Sequence, residues 1–264
     1  MKNSNINKNF STPAPFKGSV KPGKPLSELK GRHRGDDIWV IASGASLNFV
    51  DQSFFKNKIT IGVNRVNMKF DCDYIVAKDV RGFSELLKFK KKAKFLVSQF
   101  ESGDVGTTLN HVDTEHWVFE HPSKKTKQRP NLSSISGEQI VVSFSTITSA
   151  MHIAAYLGAA NIIICGHDCG TIDDQTCFSG YHKQVAPVQG DESAYFEWLA
   201  GIEAQSLEVV AWLKQRYGVE IHSLNPFLNF NLDGHLFESA NRRSRNKSSR
   251  LLRLFKGRDV RKAA

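Results

Sequence analysis

The sequence predicts an α/β fold built on a mostly parallel sheet, with helices on both faces. Short runs rich in Val and Ile recur along the chain, and stretches with helical spacing separate them. The runs end in Gly, Ser, Asn or Asp rather than in tight hairpin turns. Strands alternating with helices make βαβ units, and their crossovers cover a parallel sheet. The 264 residues, 40% of them hydrophobic, suffice for one large domain with a sizeable core.

The elements follow in order. Residues 1–34 carry Pro, Gly, Ser, Asn and Lys without apolar periodicity and read as a disordered basic arm. The run 38–42 is a strand that feeds Ser43-Gly44-Ala45-Ser46 and then a helical pattern from Leu47 to Phe55. Residues 59–63 make a second strand ending at Asn64, and 74–77 a third ending near Lys78 and Asp79. A basic helix over 82–92 leads to a strand over 94–97. The segment 101–140 has no clear period, apart from a short apolar piece at 117–119, and reads as an insertion or lid. Ser145 or Thr146 caps a helix running to about Leu157 and closed by Gly158. The strand 162–165 ends in Gly166-His167-Asp168, a long amphipathic helix spans about 191–216, and 219–222 is the last strand. The body is therefore 35–240, followed by a basic tail over 241–264.

Ligands of open α/β sheets bind at the carboxyl ends of the strands. That rule selects Gly44 with Ser46, Asn64, Lys78 with Asp79, and Gly166 with His167 and Asp168. A turn opening a helix presents free N–H groups and a positive helix end to an anion, usually a phosphate. Gly44 allows close approach of the backbone, and Ser43 or Ser46 can cap the helix or donate to a phosphate oxygen. Neither G-x-G-x-x-G nor the P-loop lysine is present, so a plain βα connection is the competing reading.

The net charge of +10 is unevenly placed. Residues 1–34 hold eight basic and one acidic residue, residues 241–264 ten basic and one acidic, and the body between carries −6. Basic ends on an acidic body fit an electrostatic tether to a polyanion, either anionic lipid or nucleic acid. Residues 250–261 place Leu251, Leu254 and Phe255 among arginines, a short amphipathic stretch suited to an anionic membrane surface. The arms lack interleaved aromatics, which makes nucleic acid the weaker expectation. No apolar run nears the roughly 20 residues of a membrane span, and the first residues lack the apolar core of a secretory signal. The expected location is cytoplasmic, peripheral on the inner face of the membrane. Cys72 and Cys165 read as core residues, while Cys169 and Cys177 with His167 and His182 offer zinc ligand types but no C-x₂-C pair.

The run V-I-A-S-G-A-S-L, the strand ending in Asn64, S-T-I-T-S-A, Y-L-G-A-A-N-I-I-I-C-G-H-D and R-Y-G-V-E-I-H-S-L resemble the Campylobacter-type bacterial sialyltransferases. They look equally like the 6-hydroxymethylpterin pyrophosphokinase-like group, which includes flagellar glycosylation-associated factors. The likeness covers about residues 36–225 and implies a Rossmann-like fold. It implies that Gly44, Ser46 and Leu47 lie against the phosphate and sugar of a cytidine nucleotide, and that Asn64 contacts the same donor. It aligns Ser145 and Thr146 with a helix start near the nucleotide, and Gly166-His167-Asp168 with the close of a late strand. One departure is clear: the family's histidine base, sixteen residues before the tyrosine of the last helix, falls on Gly201 here. His167 and His182 are the substitute candidates, with Asp168 as a further one.

Three functions follow as expectations. The first is a nucleotide-dependent transferase, most of all a glycosyltransferase that uses a CMP- or UDP-activated sugar and a glycan or lipid-linked acceptor in surface glycan or lipopolysaccharide synthesis. The second is an ATP-dependent diphosphotransferase, for which Asp79 and Asp168 would hold Mg²⁺. The third is a membrane- or nucleic-acid-binding protein on a degenerate scaffold of this fold. No cofactor is assigned beyond the Mg²⁺ of the second.

Overall fold

A computed structural model describes residues 23–78, 93–98, 115–122, 129–181, 192–224 and 237–239. Its frame is one eight-stranded sheet in which every neighbouring pair is parallel. The strands are β1 (Lys24–Pro25), β2 (Asp37–Ile41), β3 (Ile59–Val63), β4 (Tyr74–Ala77), β5 (Lys94–Ser98), β6 (His116–Phe119), β7 (Asn161–Cys165) and, beyond a short strand β8 (Gly170–Ile172) of a separate sheet, β9 (Glu220–Leu224). Their spatial order is β1-β6-β5-β4-β3-β2-β7-β9. The architecture is α/β and Rossmann-like, as the alternating sequence pattern predicts.

Two α-helices, α1 (Thr146–Tyr156) and α2 (Glu192–Tyr217), pack on one face. Alternation along β2 sends Ile38 and Val40 to that face, where they join Ile147, Met151, Val209 and Leu213 in one core. All eleven residues of α1 are buried, because it lies against the sheet and is covered by α2. Ile41 points to the opposite face and packs with Leu47, Phe55, Phe70, Phe178 and Tyr181. A small antiparallel sheet pairs β8 with β10 (Phe237–Ser239). No helix of the described residues is long and apolar enough to cross a membrane.

Three expectations change. The pattern Leu47–Phe55 is not an α-helix but two 3-10 turns, Ala45–Phe49 and Gln52–Phe55. Val50 is extended at their junction, and the Asp51 carboxylate accepts the Ser53 N–H at 2.7 Å, which starts the second turn afresh. The disordered arm does not extend to residue 34. Leu26 and Leu29 are buried in the main core, and Gly31, His33 and Gly35 donate their N–H groups to the carbonyls of Tyr156, Leu157 and Gly158. Within 101–140, residues 116–119 are a strand of the main sheet, with Trp117 and Phe119 buried, so this part is not a lid. The basic helix expected at 82–92 and the tail 241–264 lie outside the described residues.

Candidate functional site

From β2 the chain builds the sheet one way through β3, β4, β5 and β6, then returns through α1 to lay β7 on the other side of β2. The carboxyl ends of β2 and β7 therefore flank the switch point where open α/β sheets bind ligands. Gly44, Ser46, Gly166 and Asp168 meet there. The ladder continues past the strands, with the Ala42 N–H on the Cys165 carbonyl at 2.8 Å and the Gly44 N–H on the Gly166 carbonyl at 2.7 Å. Ser46 then donates its N–H to Asp168 Oδ2 at 2.8 Å and its hydroxyl to Oδ1 at 2.6 Å.

This corrects the phosphate-turn expectation. The Ser46 amide is engaged by a carboxylate of the chain itself, and a 3-10 turn follows where a helix was expected. Gly44 is required for another close approach: an added Cβ would stand 2.3 Å from Asp168 Oδ2 and 2.5 Å from the Gly166 carbonyl. Gly166 has φ +69°, and a Cβ on it would meet Leu47 Cγ at 2.7 Å. The Leu47 side chain is fully buried in the core, so it packs the turn from beneath. Burial pushes the Asp168 pKa up, against the Ser46 hydrogen bonds that pull it down.

A second group forms over the end of β3. Asn64, at φ +54°, and Ser43 both hydrogen-bond with the buried Tyr181, whose hydroxyl pKa burial raises. The Phe178 N–H donates to the Ser43 carbonyl at 3.0 Å, and the Cys177 thiol lies 3.8 Å from Ser43 Oγ. The loop 177–181 thus closes over the first turn.

A third group comes from the N-terminus of α1. Ser145 caps it, accepting the Ile147 N–H at 3.4 Å, and Thr146 is buried in its first turn. Lys78, at the end of β4, donates to the carbonyls of Ser143 and Phe144, the latter at 2.7 Å. The Phe144 N–H reaches Gln205 Oε1 on α2 at 3.4 Å, and the next residue, Ser206, meets His167 Nε2 at 2.9 Å. A run of contacts therefore links Lys78 through Gln205 and Ser206 to His167, Asp168 and Ser46. Burial lowers the His167 pKa to about 4, which leaves a neutral imidazole at physiological pH.

Asp79 and His182 lie outside the described residues. Among the described residues no group of three His, Cys, Asp or Glu could hold a metal ion. Burial raises the thiol pKa of Cys165 to about 12 and also raises those of Cys169 and Cys177. Position 201, where the resemblance puts a histidine, is a glycine on α2 with open space where a Cβ would stand.

Tyr181, Gln205 and Ser206 were not singled out by the sequence, since each acts through partners remote along the chain. Asn67, beside the β3 end, was also missed. It is fully buried, and neither side-chain amide atom has a hydrogen-bond partner among the described residues. Its place in the mixed run Arg65-Val66-Asn67-Met68-Lys69-Phe70 carries no signal a sequence pattern could separate from a surface turn. No family model, no curated protein and no solved structure matches this chain.

Proposed function

We propose that the protein is a nucleotide-dependent transferase that moves a sugar from a CMP- or UDP-activated donor to a glycan or lipid-linked acceptor. One observation carries this reading: polar groups from the ends of β2, β3, β4 and β7 and from the start of α1 converge at the switch point of a parallel sheet. With Ser46 given to Asp168, donor phosphate falls to the N-terminus of α1 at Ser145 and Thr146, where helix dipole and first-turn N–H groups favour an anion. Ser43 and Asn64, which also meet Tyr181, are polar groups at the ends of β2 and β3 that suit the donor's hydroxyls. His167, neutral and part-exposed, is the base for the acceptor hydroxyl. Asp168 shapes the turn and is no base, because both its oxygens face Ser46.

The diphosphotransferase reading finds less support. Its Mg²⁺ would need Asp168, whose oxygens already accept from Ser46. The tail would hold the enzyme at an anionic membrane beside a lipid-linked acceptor, as the basic amphipathic run 250–261 favours.

Isothermal calorimetry with CMP, UDP, ATP and GTP, with and without Mg²⁺, tests the proposal. Binding of CMP or UDP that weakens in a Ser145→Ala, Thr146→Ala variant supports it. Binding of ATP alone, and only with Mg²⁺, replaces it with the diphosphotransferase. Binding of none rejects both.

A further inference from the structure

We propose that Ser206 is a positioning residue that fixes the proton of His167 on Nε2 and leaves the Nδ1 lone pair as the proton acceptor of the site. The argument is one of hydrogen count. Ser206 Oγ lies 2.9 Å from the Ile202 carbonyl, one turn back along α2. A carbonyl only accepts, so the single hydroxyl hydrogen of Ser206 is donated there. At the 2.9 Å contact with His167 Nε2 the serine oxygen can then only accept. Nε2 therefore carries the hydrogen.

A neutral imidazole has one N–H, so Nδ1 holds the lone pair. Its other neighbour is the Cys169 sulfur, 3.8 Å from Nδ1 and 3.6 Å from Nε2. A sulfur nearly equidistant from the two nitrogens lies on the hydrogen-bonding axis of neither. Nδ1 is then the ring nitrogen with a lone pair to offer a hydroxyl brought to the switch point. Ser206 is itself buried on α2, which limits the ways its hydroxyl can turn.

The catalytic consequence rests on the transferase reading, whereas the tautomer does not. The tautomer is read on full-length protein labelled with ¹⁵N-histidine, using long-range ¹H–¹⁵N spectra and assigning His167 by its loss in His167→Gln. The wild type is expected to show one neutral tautomer, with Nε2 protonated. Ser206→Ala removes one oxygen and should yield a mixture of both tautomers, while Ser206→Thr keeps the hydroxyl and restores the wild-type pattern. With a CMP- or UDP-sugar the Ala variant should lose turnover on the order of 10-fold or more at unchanged donor KM. A wild-type His167 protonated on Nδ1, or a Ser206→Ala spectrum identical to wild type, overturns the proposal. An intact Nε2–H pattern in a protein that binds no nucleotide rejects the transferase reading and keeps the tautomer assignment.

Discussion

Asp168 grips Ser46 with both carboxylate oxygens across 122 residues of sequence, one on the backbone N–H and one on the hydroxyl. The pair joins the ends of β2 and β7 at the switch point through a buried carboxylate. Its removal tests that role. Asp168→Ala leaves two buried donors unsatisfied and should destabilise by about 1.5–3 kcal/mol, the range for hydrogen bonds to a charged group. Asp168→Asn should cost far less, because the amide can accept the Ser46 N–H and donate to its oxygen. Urea denaturation of the three proteins decides it, and equal stability of wild type and Asp168→Ala would discard the role.

Gly44 leads to a prediction about space rather than conformation. Its φ of −63° suits any residue, yet a Cβ would press on the Asp168 carboxylate and the Gly166 carbonyl. Gly44→Ala should lower stability by roughly 1–3 kcal/mol through overpacking. A melting temperature unchanged by the methyl group would show that the turn has room to relax.

Burial also makes stability depend on pH. His152 accepts the Val141 N–H at Nδ1 and meets the Tyr217 hydroxyl at 2.7 Å through Nε2, and burial lowers its pKa to about 3. His167 is lowered to about 4. Both folded-state values lie below the ordinary 6.5, so the unfolded chain binds protons that the folded chain refuses. Stability is full above about pH 6.5 and falls as pH drops toward those values. Unfolding measured at about pH 7 and about pH 5 should show the loss, and His152→Gln should flatten it while serving both partners. A pH-independent unfolding free energy over that window would contradict the assignment.

Asn67 predicts a gain. Its amide is fully buried without hydrogen-bond partners among the described residues, and Leu fills a similar volume. Asn67→Leu should raise stability by about 1–3 kcal/mol, the cost of a buried unpaired polar group. A drop in melting temperature would mean that the amide has a partner which the described residues do not include.

The tail gives the last test. Deleting 241–264 should abolish co-sedimentation with phosphatidylglycerol vesicles at low salt, and high salt should do the same to the full chain. Undiminished vesicle binding after deletion, or preference of the full chain for DNA, would remove the membrane assignment.

Much of the sheet was legible because fully buried parallel strands are written as unbroken apolar runs, and Ile162–Cys165 is the plainest. The helix start at Ser145 was legible for the same local reason, a side-chain oxygen two residues from the N–H it caps. Leu47–Phe55 misled because apolar spacing over nine residues cannot distinguish an α-helix from two 3-10 turns broken at Val50. Leu26 and Leu29 misled because two apolar residues make no period. At the site, the positions could be read from strand ends, but their bonds could not. That Ser46 serves Asp168, and that Ser206 meets His167 from α2, depends on folding across 122 and 39 residues.

The clasp between residues 31–35 and the end of α1 has a consequence for synthesis. The first strand, β1, pairs with β6, and the carbonyls of Tyr156, Leu157 and Gly158 hold the segment behind it. Those partners leave the ribosome more than 120 residues after Gly31, on the order of ten seconds later at ordinary translation rates. Leu26 and Leu29 therefore wait in the open while the middle of the sheet assembles, and the earliest-made part of the body is among the last to be fastened. A nascent chain stalled before residue 156 would leave that segment reachable by a protease, and one stalled well beyond it would not.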